Sequence, residues 1–218
     1  MQDAMVNING NSIQTLELIF LMTAISLLPF VLLMMTCFTR IIIVLSFTRS
    51  AMGIQSTPPN AVLIGLALFL TLFVMSPVVD EITETAYVPY RNEEITQEEA
   101  LQRGELPLKK FMLRQTEHSA LKLYREMAGI DPQEKVQDLP LRVVVPAFMT
   151  TELKRALISG FFIYIPFVLI DIIVSSTLMS MGMIMLPPAM ISLPFKLLLF
   201  ITVNGWELLF STLVQSFN

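Results

Sequence analysis

Charge is confined to one part of this chain. Of 18 acidic and 14 basic side chains, 14 and 11 lie between Asp80 and Arg155, and the other 142 residues hold only seven. Four stretches outside that block are long and apolar. Leu18–Thr39 has 22 residues without a charge and Asn60–Val79 has 20. Ala156–Leu186 runs for 31 with Asp171 alone, and Ile191–Phe217 for 27 with Lys196 and Glu207. About 20 apolar residues cross the hydrocarbon core of a bilayer as a helix. The pattern therefore predicts four helices of spanning length, covered by lipid or by other subunits. Hydrophobic residues make up 54% of the chain and charged ones 15%, against roughly 25% charged in a soluble domain.

Proline pairs divide the apolar part. Pro58-Pro59 separates the first two stretches and Pro187-Pro188 the second two. Two successive prolines end a helix but can open the next one, so each pair reads as the turn of a helical hairpin. Pro29 and Pro166 fall inside predicted helices and are expected to kink them. The expected organisation is all-α: a polar tail (1–17), a first hydrophobic hairpin (18–79), a polar helical domain (80–155) and a second hydrophobic hairpin (156–218). Within the polar domain, Thr96 and Glu99 have capping-box spacing. Gly104 is expected to stop a short helix and Pro107 to start a second, amphipathic one running to Ala128, with Gly129 as its C′ residue. Val143-Val144-Val145-Pro146 reads as an extended connection, and Thr150 or Thr151 as the cap of the third long helix.

No Lys or Arg precedes Arg40, so the N-terminus lacks the basic region of a secretory signal. The chain then either follows a removed signal or inserts without one. Arg40 and Arg49 flank the first connection and Lys196 the second, which places both connections in the cytoplasm and both termini outside. The polar domain lies outside as well, because loops beyond about 60 residues translocate largely regardless of charge.

Several chemistries lack their residues. His118 is the only histidine and Cys37 the only cysteine. There is no HExxH, no Cys/His cluster with metal spacing and no Gly-rich phosphate loop, so no catalytic residue, metal or cofactor is expected. Cys37 reads as a small buried hydrophobe. A pI of about 5.0 without a basic stripe argues against nucleic acid.

What remains is ionisable groups in apolar helices and methionine. Asp171, Lys196, Glu207 and Arg40 are expected to be buried ionisable groups or to face a partner. Counted along straight helices, Asp171 lies about 24 Å before Pro187, Lys196 about 12 Å after Pro188 and Glu207 about 28 Å after it. That arithmetic predicts no ion pair between Asp171 and Lys196, and puts Glu207 level with Asp171. Met179, Met181, Met183 and Met185 cluster ahead of Pro187. Gly182 and the proline pair predict that the helix unwinds there into a loop, and flexible thioethers suit a surface that seals around varied shapes.

Several runs in order carry a resemblance over nearly the whole chain from Leu16. They are Leu32-Leu33-Met34-Met35-Thr36-Cys37-Phe38-Thr39-Arg40-Ile41-Ile42-Ile43-Val44, Pro58-Pro59-Asn60-Ala61-Val62-Leu63-Ile64-Gly65, Phe111-Met112-Leu113-Arg114-Gln115-Thr116, Ile165-Pro166-Phe167-Val168-Leu169-Ile170-Asp171, Met183-Ile184-Met185-Leu186-Pro187-Pro188 and Leu193-Pro194-Phe195-Lys196. In these the chain resembles the FliP family, export-gate membrane proteins of flagellar type III secretion, and their injectisome counterparts. The resemblance implies a homopentamer joined by two other small membrane subunits, FliQ-like and FliR-like. It implies a portal for unfolded export substrates at the bacterial inner membrane, in the flagellar basal body. The assembled helical cone then lies largely on the outer side of the membrane, with lipid around it. The family's methionine gasket falls on Met183, Ile184 and Met185, beside Met181. Ile184 departs from the family's usual run of three methionines. The flagellar branch is the closer one. The alternatives are an injectisome gate subunit, or a small-solute or ion transporter using Asp171, Glu207 and Lys196 as coupling groups.

Overall fold

The computed structural model describes residues 5–8, 11–131, 133–183 and 185–217. The fold is helical, preceded by a short hairpin. Strands β1 (Met5–Ile8) and β2 (Asn11–Gln14) pair antiparallel within the segment expected as a polar tail. Helices α1 (Thr15–Met35) and α2 (Phe38–Ala51) follow. Then comes a rod made of α3 (Asn60–Ile82), a π-helical turn (Thr83–Tyr87) and α4 (Val88–Arg91). Helices α5 (Gln97–Gln115) and α6 (His118–Met127) form the polar domain with that rod. The chain ends with α7 (Leu141–Ser180), α8 (Pro188–Thr202) and α9 (Gly205–Gln215).

Local chemistry explains most boundaries. The Thr96–Glu99 capping box forms: Thr96 Oγ1 accepts from the Glu99 N–H, and the Glu99 carboxylate accepts from the Thr96 N–H. Gly129 takes φ 65° at the end of α6, as its C′ position demands. Pro59 is the N-cap of α3, and Pro187-Pro188 opens α8.

Other expectations do not hold. Gly104 and Pro107 do not divide the polar domain's helix; both lie inside a continuous α5. Gly104 faces the rod, where an added Cβ would make ordinary contact at 3.8 Å from Ala86 Cβ and Ile82 Cγ2. The 143–146 run is not extended. It is the first turns of α7, whose N-cap is Pro140, and Val143 and Val144 are buried by tertiary contact that overrides their strand preference. Thr151 caps nothing in α7; its hydroxyl accepts from the backbone N–H of Glu117 at the start of α6.

The sharp bends also lie away from the expected prolines. α1 and α2 meet at 76° across Thr36-Cys37, and α8 and α9 at 60° across Val203-Asn204. At the first bend the Thr36 hydroxyl donates back to the Leu32 carbonyl and accepts from the Phe38 N–H, serving both broken ends. At the second, Asn204 takes the left-handed conformation that Asn tolerates best after Gly. Among the described residues, two helices, Asn60–Arg91 and Leu141–Ser180, are long and apolar enough to cross a membrane, or up to four if each bent pair counts as one.

α7 is the spine. Its 40 residues extend about 60 Å. Its first half packs α5 and α6 on α2 through Phe148, Ala147, Val144, Met112 and Leu121, with Ile41 and Leu45 from α2 and Cys37 at its N-cap. Gly160 lets α2 approach closely, since a Cβ there falls 2.6 Å from Phe47 Cγ. Burial elsewhere is incomplete. The chain exposes 14635 Å², where a compact monomer of 24.6 kDa exposes about 10,000 Å². Phe69, Phe73, Phe161, Phe162 and Ile173 each stand more than half exposed. An apolar surface of that extent requires lipid or other chains. Gly160→Ala is expected to lower stability by about 1–3 kcal/mol through overpacking, with partial recovery when Phe47→Leu is added. Thermal unfolding of the detergent-solubilised protein measures both.

Candidate functional site

Two polar constellations organise the apolar helices. The first surrounds Arg40, 2% exposed in α2. Its Nε donates to Glu152 Oε2 at 2.9 Å, and its Nη2 donates to Glu152 Oε1. Its Nη1 donates to Ser216 Oγ at 3.1 Å, and the guanidinium lies 3.9 Å from the centre of the Phe217 ring. Glu152 is fully buried in α7. The Phe217 carbonyl is itself held, accepting from Gln115 Nε2 at 2.9 Å and from Arg114 Nη2 at 3.3 Å. Gln115 Oε1 accepts in turn from Arg155. One guanidinium thus joins α2, α7 and the segment after α9, and that segment reaches α5. Arg40 is not the exposed cation that the orientation argument required; its charge is neutralised inside the fold. Arg49 is also occupied, donating to the Pro58 carbonyl and to Asn60 Oδ1.

The second constellation sits beneath the methionines. Lys196 Nζ donates to Asp171 Oδ2 at 2.6 Å, and the buried Ser192 hydroxyl donates to Asp171 Oδ1 at 2.6 Å. This ion pair contradicts the depth arithmetic, and the reason is the loop. α7 ends at Ser180 and α8 begins at Pro188, so the chain between them belongs to neither helix. Counted from the true helix ends, Asp171 stands about 14 Å and Lys196 about 12 Å from the turn, at one level. Gly53, from the turn after α2, lies against Lys196 and Leu193. Glu207 does not join Asp171. It occupies the first turn of α9, beyond the 60° bend, where the helix N-terminus favours an acid. An Asn-Gly step at 204–205 was the available sign that the last apolar stretch is two helices.

Gly182 ends α7 with φ 75°. Its N–H donates to the Met179 carbonyl, and the Met183 N–H to that of Leu178. Met181, Met183 and Met185 project from this end, Met185 with 98% of its surface exposed. Ile184 lies outside the described residues. Pro58 and Pro59 precede α3, and Pro187 and Pro188 stand at the start of α8. In the polar domain, Lys154 Nζ binds the Glu117 carboxylate at 2.7 Å and holds its pKa below the usual range, chiefly by that hydrogen bond. A depressed carboxylate stabilises above its unfolded pKa and loses that contribution as pH falls through the folded value.

These features define an all-helical protein with helices long and apolar enough to cross a membrane, a polar helical insert and an exposed methionine loop. Comparison with known proteins is specific. The FliP family pattern matches residues 21–213. The "Flagellar biosynthetic protein FliP" of Bacillus subtilis (strain 168) is 51% identical over 207 residues, 95% of this chain and 94% of that protein. Those of Pectobacterium carotovorum and Aquifex aeolicus are 52% and 47% identical, covering 94% and 96% of this chain and 79% and 88% of theirs. The chain belongs to the FliP family.

Glu152→Ala is expected to cost about 3–5 kcal/mol, because it strands a buried guanidinium. The double replacement Arg40→Met with Glu152→Leu is expected to cost far less, since apolar substitutes of similar volume often match a buried pair. Denaturant titration of the two variants, against the unaltered protein, tests this. At the second constellation, Lys196→Met is expected to impair export more than Ser192→Ala, which leaves the ion pair in place; secretion assays in cells rank the two.

Proposed function

We propose that this protein is a structural, pore-forming subunit of the flagellar type III protein export gate. Several copies, as a pentamer, surround a conduit with two other small gate subunits in the bacterial inner membrane. Unfolded flagellar proteins cross through it, and no covalent chemistry is performed. Membership of the FliP family supports the export role, and the exposed methionine loop carries the mechanism. Met181, Met183 and Met185 are unbranched and deformable, and their side chains meet no enclosing surface within one copy. Several copies bring such loops together at one level and close a narrow lumen. Side chains without charge or fixed shape give no sequence-specific grip, so many different substrates slide past. The Asp171–Lys196–Ser192 clamp holds both ends of the loop at a fixed height.

The same reading assigns the hydrophobic hairpins at 18–79 and 156–218 to the wall of the conduit and its contacts. It assigns the polar domain at 80–155 to the outer, water-facing side. The exposed apolar surface of α3 and α7 is then covered mainly by neighbouring subunits, with lipid at the rim.

Deleting Met181–Met185, or replacing Met183 and Met185 with Glu, is expected to let small ions leak or to reduce export to background. Conductance of membranes holding the protein and secretion of flagellar subunits measure the two effects. Unchanged conductance together with unchanged export rejects the seal. A monomer or dimer after mild detergent extraction, with substrate-dependent uptake by the purified protein, favours a transporter instead.

A further inference from the structure

The polar domain carries two unlike apolar features whose surroundings differ in charge. The first is a groove of about 640 Å³ between α5 and the α3–α4 rod, closed at one side by the end of α1 and the start of α7. Its floor is small, formed by Ala86, Ala100 and Gly104, and its walls include Tyr87, Tyr90 and Leu101. Tyr87 and Tyr90 project from the π-helical turn and α4, and Leu101 is 62% exposed. From Asp80 to Leu106 the chain has eight acidic and two basic residues. Glu105 lies on the groove itself, and Glu98 stands two turns before it on α5.

The second feature is α6. Leu123 and Met127 stand on it 49% and 72% exposed, in a domain that otherwise faces water. α6 itself carries Lys122 and Arg125 against Glu126. Lys122 is exposed beside Leu123, where its nearest acid is Glu126 at 3.8 Å, and Arg142 lines the notch next to Met127. A groove with a small-residue floor, aromatic walls and an acidic rim fits a short amphipathic helix with a basic flank. α6 is such a helix, presented by the same chain.

We propose that α6 of one copy docks in the α4–α5 groove of the next, so that the polar domains join head to tail. This rests on the oligomeric reading above and specifies which surfaces meet. Two different patches on each copy make the contact heterologous, and heterologous contacts close into rings when the rotation per copy allows it. Complementary charge sets the register, and the exposed Leu123, Met127 and Leu101 lose their contact with water. The polar domain thereby fixes neighbour order outside the apolar helices.

The test is Leu101→Cys combined with Met127→Cys, oxidised in native membranes. Cys37 is fully buried and adds no background. A ladder of crosslinked species larger than a dimer is expected, with none from either single variant. In a second arm, Glu98→Lys with Glu105→Lys is expected to lower the ladder about tenfold, and adding Lys122→Glu with Arg142→Glu to restore most of it, as like charges repel and opposite ones recover. The size of the unmodified complex is measured alongside. A large complex without a ladder, or with dimers only, overturns the docking and leaves the export-gate reading standing. A monomer overturns both. A ladder whose yield ignores the charge reversals overturns the electrostatic register.

Discussion

One buried ion pair governs how this chain closes. Arg40 and Glu152 come from helices more than a hundred positions apart, and neither charge has access to water. A buried charge is tolerable only when its partner and its remaining donors are all satisfied. Glu152 occupies two edges of the guanidinium, Ser216 takes a third direction and the Phe217 ring lies against its face. α2, α7 and the last segment must therefore reach their places together. The polar domain is bound into the same arrangement, because Gln115 and Arg114 of α5 hold the Phe217 carbonyl. Water-facing and apolar parts of the chain form one cooperative unit around this point.

The clamp beneath the methionines uses the same economy at smaller scale. Asp171 accepts from Lys196 and Ser192, two residues one turn apart on α8. The pair is less enclosed than Arg40–Glu152, since the Asp171 side chain keeps 38% of its exposure. It fixes α8 against α7 just below a loop that has few contacts of its own. Rigidity below and freedom above is the arrangement that the proposed seal requires of its side chains.

Much of this was legible in the sequence, and the failures have physical causes. Helix class, the proline-marked turns, the Thr96 box and the Gly129 stop rest on local chemistry, which a sequence displays directly. Gly104 and Pro107 misled because α5 runs through both of them, its contacts with the α3–α4 rod and α7 outweighing local signals for a break. The valine run at 143–145 misled because burial against α2 and α5 outweighs the strand preference of branched side chains. The Asp171–Lys196 pair was missed by measuring from the prolines, when the helix stops at Ser180 and the loop consumes the difference. The partner of Glu152 lies so far back in the sequence that no spacing rule links them. Arg40 stands just past the end of an apolar stretch, and its partners were decided by tertiary structure.

α7 deserves a mechanical reading as well. It is a single helix about 60 Å long, twice the thickness of a bilayer's hydrocarbon core. One end is embedded among the polar-domain helices and the other carries the methionine loop. A stiff rod held near its base behaves as a lever. A tilt of about 10° at the polar domain moves the far end by roughly 10 Å, the full width of a helix. In the proposed assembly, small adjustments among neighbouring polar domains are magnified at the methionine loops, so the aperture is set as much by how copies lean on one another outside as by the side chains that line it.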